Sequence, residues 1–465
     1  MLKSKAVVIK WAICVILPIL VVLIPLSETF TIGIRSFLAL TVLIISVFAT
    51  GVVAPPAVAL LMPILYVIVL GTSPGAAFAA WTQPIPWMVL GSFILSFGLE
   101  KTGLIRRTAL RCVIFLGGSY LAIIIGIIIA GGIVSLVITD LSAKAVLFGT
   151  FGLSICKVLK LELGNKATGG IAIASLIATL DPGTLFMHGS TNRIVPLGLA
   201  EAAGMTHPTW LGYLSHMFVP HLIFIALCTF VCLIMFKTTK EQKASFLEAK
   251  GNLSQELKAM GPMSIDEKKL IVISALLLIG VVTSEVHKIA IPWLFLLAGV
   301  VLLLPGIKIV APPELGKCNI PFVIVVASFL SMGAVAGSVG FGPFLAGIAA
   351  PLIAGSTHLV VGGIFVFGFI INLVLTPLAA YSAFTGSVVE IAQTLNVNPL
   401  PLVYTWAITF EQIIFPFQFV PVLIIFGYGM ISFKDIVLFN VAKLLISFVC
   451  ILTIYIGWWY LIGIL

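Results

Sequence analysis

The sequence predicts an all-helical polytopic membrane protein, with about 11 transmembrane helices plus two re-entrant hairpins arranged as an inverted repeat. Three observations carry that prediction. With 61% hydrophobic and 9% charged residues and a mean hydropathy of +1.26, the chain is far too apolar for a soluble globule, in which charged residues average about 25%. Its apolar segments are continuous rather than alternating, which excludes a membrane β-barrel. Finally, one short pattern interrupts an apolar stretch twice, 237 residues apart, as Thr139-Asp140-Leu141-Ser142-Ala143 and Thr376-Pro377-Leu378-Ala379-Ala380. In the same register Gly149 matches Gly386 and Thr150 faces Ser387. About forty residues after each copy comes a second helix breaker, Asp181-Pro182-Gly183 in one half and Pro416 to Pro421 in the other, and paired interruptions of this kind mark the binding site of a secondary transporter.

Taken in order, residues 1–25 join Lys3, Lys5 and Lys10 to an apolar run. No small-residue cleavage site follows, so the segment reads as the first spanning helix rather than a signal peptide. Further apolar segments centre near residues 43, 63, 92, 128, 150, 173, 223, 275, 297, 326, 364, 385, 409 and 450. Counting each as a full crossing conflicts with the distribution of Lys and Arg. If 119–160 and 355–395 are instead hairpins that return to the side they entered, the basic residues sort. Lys3, Lys5, Lys10, Arg106, Arg107, Arg111, Lys157, Lys160, Lys166, the Lys-rich 237–269 stretch, Lys308, Lys317 and Lys434 then share the cytoplasmic side. Arg35, Arg193 and Lys288 remain near the outer side. The N-terminus is then cytoplasmic, and the two hairpins enter from opposite faces. The formal charge of +9 follows from these loops and does not call for nucleic acid.

The chain divides accordingly into 1–118, 119–237, a cytoplasmic linker 238–265 within the polar stretch 238–268, 266–354 and 355–465. The linker is expected to be partly helical at most. Residues 100–111 form a basic amphipathic segment, expected to lie along the membrane surface through Arg106, Arg107 and Arg111.

Backbone at membrane depth must satisfy its hydrogen bonds, so a broken helix persists only where it lines a cavity or meets a ligand. Its exposed N–H groups suit an anion and its carbonyls a cation. At the tips 139–143 and 376–380, Thr139, Ser142, Thr376 and Ser382 add hydroxyls. Asp140 and Lys144 are four residues apart, on one helical face. Charges at this depth are expensive and functional by default. Asp140 is the candidate for Na⁺ or proton coupling, and Lys144 for neutralising it or meeting an anionic substrate. A structural ion pair between the two is the plainer reading. Asp181 in the second break is a candidate for coupling or for capping a half-helix. Glu411, Gln412 and Gln418 serve either ligand contact or interhelical hydrogen bonding.

Other chemistries find little support. The seven cysteines lie in or beside apolar segments without a CxxC and read as small packing residues, not as a metal or disulfide set. There is no GxxxxGK[ST], HExxH or GxSxG, so neither an ATPase nor a hydrolase is expected. Phe426-Gly427-Tyr428-Gly429 resembles a potassium filter only superficially, because it stands at a helix exit before Phe433-Lys434-Asp435.

The stretch Trp87-Met-Val-Leu-Gly-Ser-Phe-Ile-Leu-Ser-Phe-Gly-Leu-Glu-Lys-Thr-Gly-Leu-Ile-Arg-Arg107-Thr-Ala-Leu110 resembles the divalent anion:sodium symporter family. The resemblance continues at Asn398-Pro-Leu-Pro-Leu402, Phe426-Gly-Tyr-Gly429 and Phe433-Lys-Asp435. It implies a homodimer in which scaffold helices (1–118 and 266–354) hold a mobile transport part (119–237 and 355–465) that works as an elevator. It also implies di- or tricarboxylate or sulfate as substrate, coupled to Na⁺ or moved by exchange. The family's Ser-Asn-Thr motif at each hairpin tip, which binds carboxylate beside the Na⁺ sites, here reads Thr139-Asp140-Leu141 and Thr376-Pro377-Leu378. The breaks that follow read Ser190-Thr191-Asn192 and Pro416 to Pro421 around Gln418.

Those departures bear on substrate and ion. Asp140 adds a charge that favours a cation or proton, and it disfavours a close carboxylate unless Lys144 compensates. Pro377 removes both a side-chain ligand and a backbone donor. The expected substrate-binding residues are therefore Thr139, Ser142, Lys144, Asn192, Thr376, Ser382 and Gln418. Those expected for the cation are Thr139, Asp140, Asp181, Thr376 and Pro377. The function expected is secondary active transport of small organic anions, dicarboxylates first, with Na⁺ or H⁺ as coupling ion and no other cofactor. A proton-coupled carrier of another solute, a channel and a non-transporting membrane component are the rival readings. Short loops without a targeting segment suggest a prokaryotic inner membrane.

Overall fold

A computed structural model describes residues 2–239, 246 and 249–465, the side chains of residues 2–6 and 249 excepted. Residues 240–245 and 247–248 of the expected linker lie outside the described residues. Among the described residues the chain is all-helical. The first half comprises α1 (Leu2–Val22), α2 (Ile32–Thr50), α3 (Pro55–Leu70), α4 (Pro84–Thr102), α5 (Leu104–Phe115), α6 (Tyr120–Ser135), α7 (Leu141–Val158), α8 (Lys166–Leu180), α9 (Thr191–Ala202) and α10 (Trp210–Met235). A linker helix, α11 (Ala249–Ala259), leads to α12 (Ile265–Val282), α13 (Ile291–Val301), α14 (Ile320–Ser338) and α15 (Phe341–Ile353). The chain closes with α16 (Thr357–Asn372), α17 (Pro377–Thr394), α18 (Pro399–Thr409), α19 (Val420–Gly427) and α20 (Phe433–Cys450), which runs through a π turn at Ile451–Tyr455 into Ile456–Leu461.

Local chemistry sets the boundaries. Proline occupies the first turn of α3, α4, α17 and α18, where its missing N–H costs nothing. Thr31, Asn165, Thr209 and Ser432 cap α2, α8, α10 and α20 with side-chain oxygens. Gly103, at φ 76°, ends α4 and turns the chain 67° into α5.

Among the described residues five helices are long and apolar enough to cross a membrane, or six if the bent pair α4–α5 is one span. That is fewer than the expected count, because α8/α9 and α18/α19 are half-helices and several other apolar helices are only 10–17 residues long. α3 packs on α14 and α4 on α13, so the early helices pair with the 291–338 region. The α4–α13 crossing is backbone on backbone: a Cβ on Gly91 would lie 2.4 Å from Phe295 O, and one on Gly299 would lie 2.7 Å from Gly91 O.

The two hairpins are α6–α7 and α16–α17. Ser119 caps α6 and Ser356 caps α16, again 237 residues apart, and both first arms run 16 residues. Gly126 packs against Val113 of α5, and its counterpart Gly363 packs against Ile353 of α15. Gly131 meets Ala178 of α8, and its counterpart Gly368 meets Trp406 and Thr409 of α18. The second arms cross over: α7 packs on α19 and α17 on α9. Each hairpin thus rests on the first half-helix of its own half and on the second half-helix of the other.

The 100–111 segment departs from expectation. Arg107 does not face headgroups. It is buried, with Nε 2.6 Å from Glu267 Oε1 and Nη1 and Nη2 donating to Gly261 O (3.0 Å) and Met260 O (3.3 Å). Arg106 pairs with Glu256 of α11, whose Oε1 also accepts from Ser154 of α7 at 3.2 Å. The linker helix supplies Glu256, and the turn after it and the start of α12 supply the acceptors of Arg107, which captures two of the three arginines. Arg111 remains exposed. In the last turn of α4, Lys101 Nζ lies 2.6 Å from Glu314 Oε2, and this hydrogen bond holds the Glu314 carboxyl below the usual carboxylate range. All seven cysteines are free thiols; six are buried and Cys112 is half-buried.

Candidate functional site

Four interruptions of helix meet in the core: tip one (136–140), break one (181–190), tip two (373–376) and break two (410–419). Break one follows α8, a helix of small residues whose positions 167–180 are all buried. Asp181 ends it, a 3₁₀ turn spans Pro182–Leu185, and a second turn, closed by Gly189 N donating to Phe186 O at 2.9 Å, leads to Ser190. The loop folds onto itself so tightly that a Cβ on Gly189 would lie 2.2 Å from Gly183 O. Only glycine fits there.

Tip one docks on this loop. Thr191 N donates to Thr139 O at 3.2 Å. His188 reaches Leu136 O through Nε2 (3.0 Å) and accepts from Trp210 Nε1 through Nδ1 (3.0 Å), so the ring is the neutral tautomer that donates to the tip. Lys144 is fully buried. Its Nζ donates to Ser135 Oγ and to Gly189 O, each at 2.9 Å, and so joins both arms of the hairpin to break one. Among the described residues no carboxylate oxygen lies within 4.0 Å of it. Asp140 and Lys144 therefore do not form the ion pair that their spacing allows. Asp140 instead caps α7, its Oδ1 accepting from Ser142 N at 2.8 Å. Around the Thr139–Thr191 contact three buried polar atoms have no partner among the described residues: Thr139 Oγ1, Ser190 Oγ and Asn192 Nδ2.

At tip two, Thr376 begins α17 with Pro377 in the first turn, and Thr376 Oγ1 is buried with no partner among the described residues. Asn372 Nδ2 ties the tip to break two through Thr409 O (3.4 Å) and Gln412 O (3.1 Å). Gln418 turns inward on its own break, its Oε1 accepting from Ile414 N (3.0 Å) and Phe415 N (2.7 Å). It thereby satisfies backbone donors that the broken helix leaves open.

Buried ion pairs tie break one to α20 and to break two. Asp181 Oδ1 lies 2.6 Å from Lys443 Nζ of α20, and the Asp181 side chain caps no helix. Arg193, expected near the outer surface, is 2% exposed and pairs with Glu411. A cation one residue past the polar Ser190-Thr191-Asn192 stretch, and Lys443 alone in the middle of an apolar helix, are the sequence signals that identify these two.

Of the expected residues, Thr139, Asp140, Ser142, Lys144, Asp181 and Asn192 gather around tip one and break one. Thr376 and Pro377 form tip two. Ser382 stands apart, its Oγ donating to Leu378 O at 2.9 Å, and it lines a cavity of about 1380 Å³ bounded by α9, α17, α4 and α14. The cavity reaches break one at Met187 and His188 and is also lined by Glu201, Glu285, Lys288 and Glu390. Sequence reasoning missed Ser135, Gly189, Thr184, Asn372 and Lys443. Among the described residues no cluster of His, Cys, Asp and Glu could hold a metal ion.

The model of the family described as "Sodium:sulfate symporter transmembrane region" matches residues 5–465. "Dicarboxylate transporter 2.1, chloroplastic" of Arabidopsis thaliana is 30% identical over 202 residues, covering 41% of this chain and 35% of the relative. "Dicarboxylate transporter 2, chloroplastic" of Spinacia oleracea is 28% identical over 200 residues, 41% and 34% of the two chains. A "Membrane protein" of Cupriavidus necator is 22% identical over 307 residues, 63% and 59%. The match spans about a third of the length of the two plant relatives.

Proposed function

Because the chain belongs to the sodium:sulfate, or divalent anion:sodium, symporter family, we propose that it moves small organic anions, dicarboxylates first, across its membrane by alternating access. Membership makes it a transporter rather than an enzyme. The relatives named as dicarboxylate transporters support the substrate class. The unpartnered Thr139, Ser190, Asn192 and Thr376 supply hydroxyl and amide groups facing the ligand at the two tips. The helix starts at Leu141, Thr191 and Pro377 add partial positive charge. On this reading the transport part moves as an elevator within a homodimer, and the cavity lined by the 284–292 loop is its path to the outer side.

Lys144 carries the reading furthest. A carbonyl and a hydroxyl that would suit a coupling cation already hold a tethered ammonium with no carboxylate beside it. That fixed charge favours a dianion at tip one and removes the need for a mobile cation there. Obligate exchange of one dicarboxylate for another follows, independent of Na⁺ at tip one. Protein in liposomes preloaded with unlabelled dicarboxylate tests this by uptake of labelled succinate, malate or 2-oxoglutarate with and without Na⁺. Sodium-independent counterflow is the expected result. Strict Na⁺ dependence would overturn exchange but leave the anion class standing, and absence of counterflow in folded protein would overturn both.

A further inference from the structure

Two buried ion pairs have no part in that mechanism: Arg193–Glu411, which links the breaks, and Asp181–Lys443, which ties break one to α20. Asp181, Lys443, Arg193 and Glu411 are each at most 3% exposed. Removing four charges from water is so costly that apolar residues of the same size would often hold helices together better. The gain from such groups is directional: they fix one arrangement among several that apolar packing would tolerate.

What they connect is specific. Glu411 lies in break two, and Thr184 and Arg193 lie on either side of the loop in break one. Thr184 Oγ1 donates to Glu411 Oε2 at 3.0 Å and lies 3.2 and 3.0 Å from Arg193 Nε and Nη2. One hydroxyl thus serves both members of the pair. Tyr213 OH holds the Thr184 carbonyl at 2.9 Å, so the hydroxyl cannot drift. Each member keeps one buried polar atom with no partner among the described residues, Arg193 Nη1 and Glu411 Oε1. The knot is therefore anchored yet not saturated, as a joint that must transmit a shift requires.

We propose that Thr184, Arg193 and Glu411 are positioning residues that couple the two half-sites, so that the conformation of one break sets that of the other. The proposal rests on the two-tip carrier reading for its function, but the coupling itself is a property of the fold.

Hydrogen–deuterium exchange of the full chain in nanodiscs tests it without a substrate. Glu411→Gln is expected to speed exchange of the backbone amides of 181–190 at least tenfold, and Thr184→Val that of 410–419, with α2 and α3 unchanged as a check on folding. The charge-swapped pair Arg193→Glu with Glu411→Arg is expected to recover protection in part. Effects confined to the substituted break, or an even loss over all helices, would overturn coupling. In liposomes, Thr184→Val, which keeps both charges, is expected to raise efflux without counter-substrate relative to exchange by about tenfold. If exchange mapping shows coupling while the unsubstituted protein carries no dicarboxylate, the transport reading fails alone.

Discussion

At the scale of single residues, Lys144 and Asp140 divide work that their spacing suggested they would share. A charge-assisted hydrogen bond contributes about 1.5–3 kcal/mol, and Lys144 makes two, so Lys144→Gln is expected to reduce sodium-independent counterflow at least tenfold. Added Na⁺ is expected to restore part of it, because the oxygens of Ser135 and Gly189 are then free for a cation. Uptake measured at 0 and high Na⁺ checks both. Asp140 acts first as a helix cap, so Asp140→Asn, which keeps the acceptor, is expected to leave thermal stability nearly unchanged. Asp140→Ala should lower it by about 0.5–2 kcal/mol, the usual worth of a cap, read as a shift in melting in detergent. The sequence made both residues conspicuous, since charges in apolar surroundings stand out. It left the partners of Lys144 hidden, because a backbone carbonyl such as that of Gly189 has no letter of its own.

Among the elements, the hairpins were the most legible part of the fold. Where re-entrant hairpins are expected at 119–160 and 355–395, the chain forms the helix pairs 120–158 and 357–394, because a tip that breaks two long apolar arms leaves a clear mark in sequence. The capping serines and crossing glycines of the same repeat are legible only once the helices are known, since serine and glycine are common in any membrane chain. Those glycines are not equivalent in consequence. A Cβ on Gly131 would lie 2.5 Å from Ala178 O, whereas one on Gly368 would lie 3.1 Å from the edge of the Trp406 ring. Backbone cannot yield as a side chain can, so Gly131→Ala is expected to destabilise by about 1–3 kcal/mol, as overpacking does. Gly368→Ala should cost less, and paired melting curves check the order. The misplacement of Arg107 and Arg193 has one cause. A basic residue signals a loop unless a buried carboxylate from a distant segment, here Glu267 or Glu411, is there to receive it.

Over the whole molecule, family and helical class were legible from composition and from the 87–110 stretch. Half-helices read like whole ones in a hydropathy profile, so only the breakers Asp181-Pro182-Gly183 and Pro416 to Pro421 mark α8/α9 and α18/α19 in the sequence. Sidedness is the remaining claim at this scale, and the basic residues that support it predict a cytoplasmic junction between α5 and α6. There Phe115 is 88% exposed, beside Gly117 at φ 105° and Gly118 at φ 77°. A Phe115→Cys variant is expected to react with a membrane-impermeant maleimide only when the reagent has access to the cytoplasmic face. The buried thiols make that measurement direct. With six of the seven native cysteines enclosed in the bundle and the seventh half-enclosed, the chain is close to a silent background for thiol labelling. Reporter cysteines can be introduced one at a time without first stripping out the native ones, and any native thiol that starts to react would itself signal that the bundle has opened.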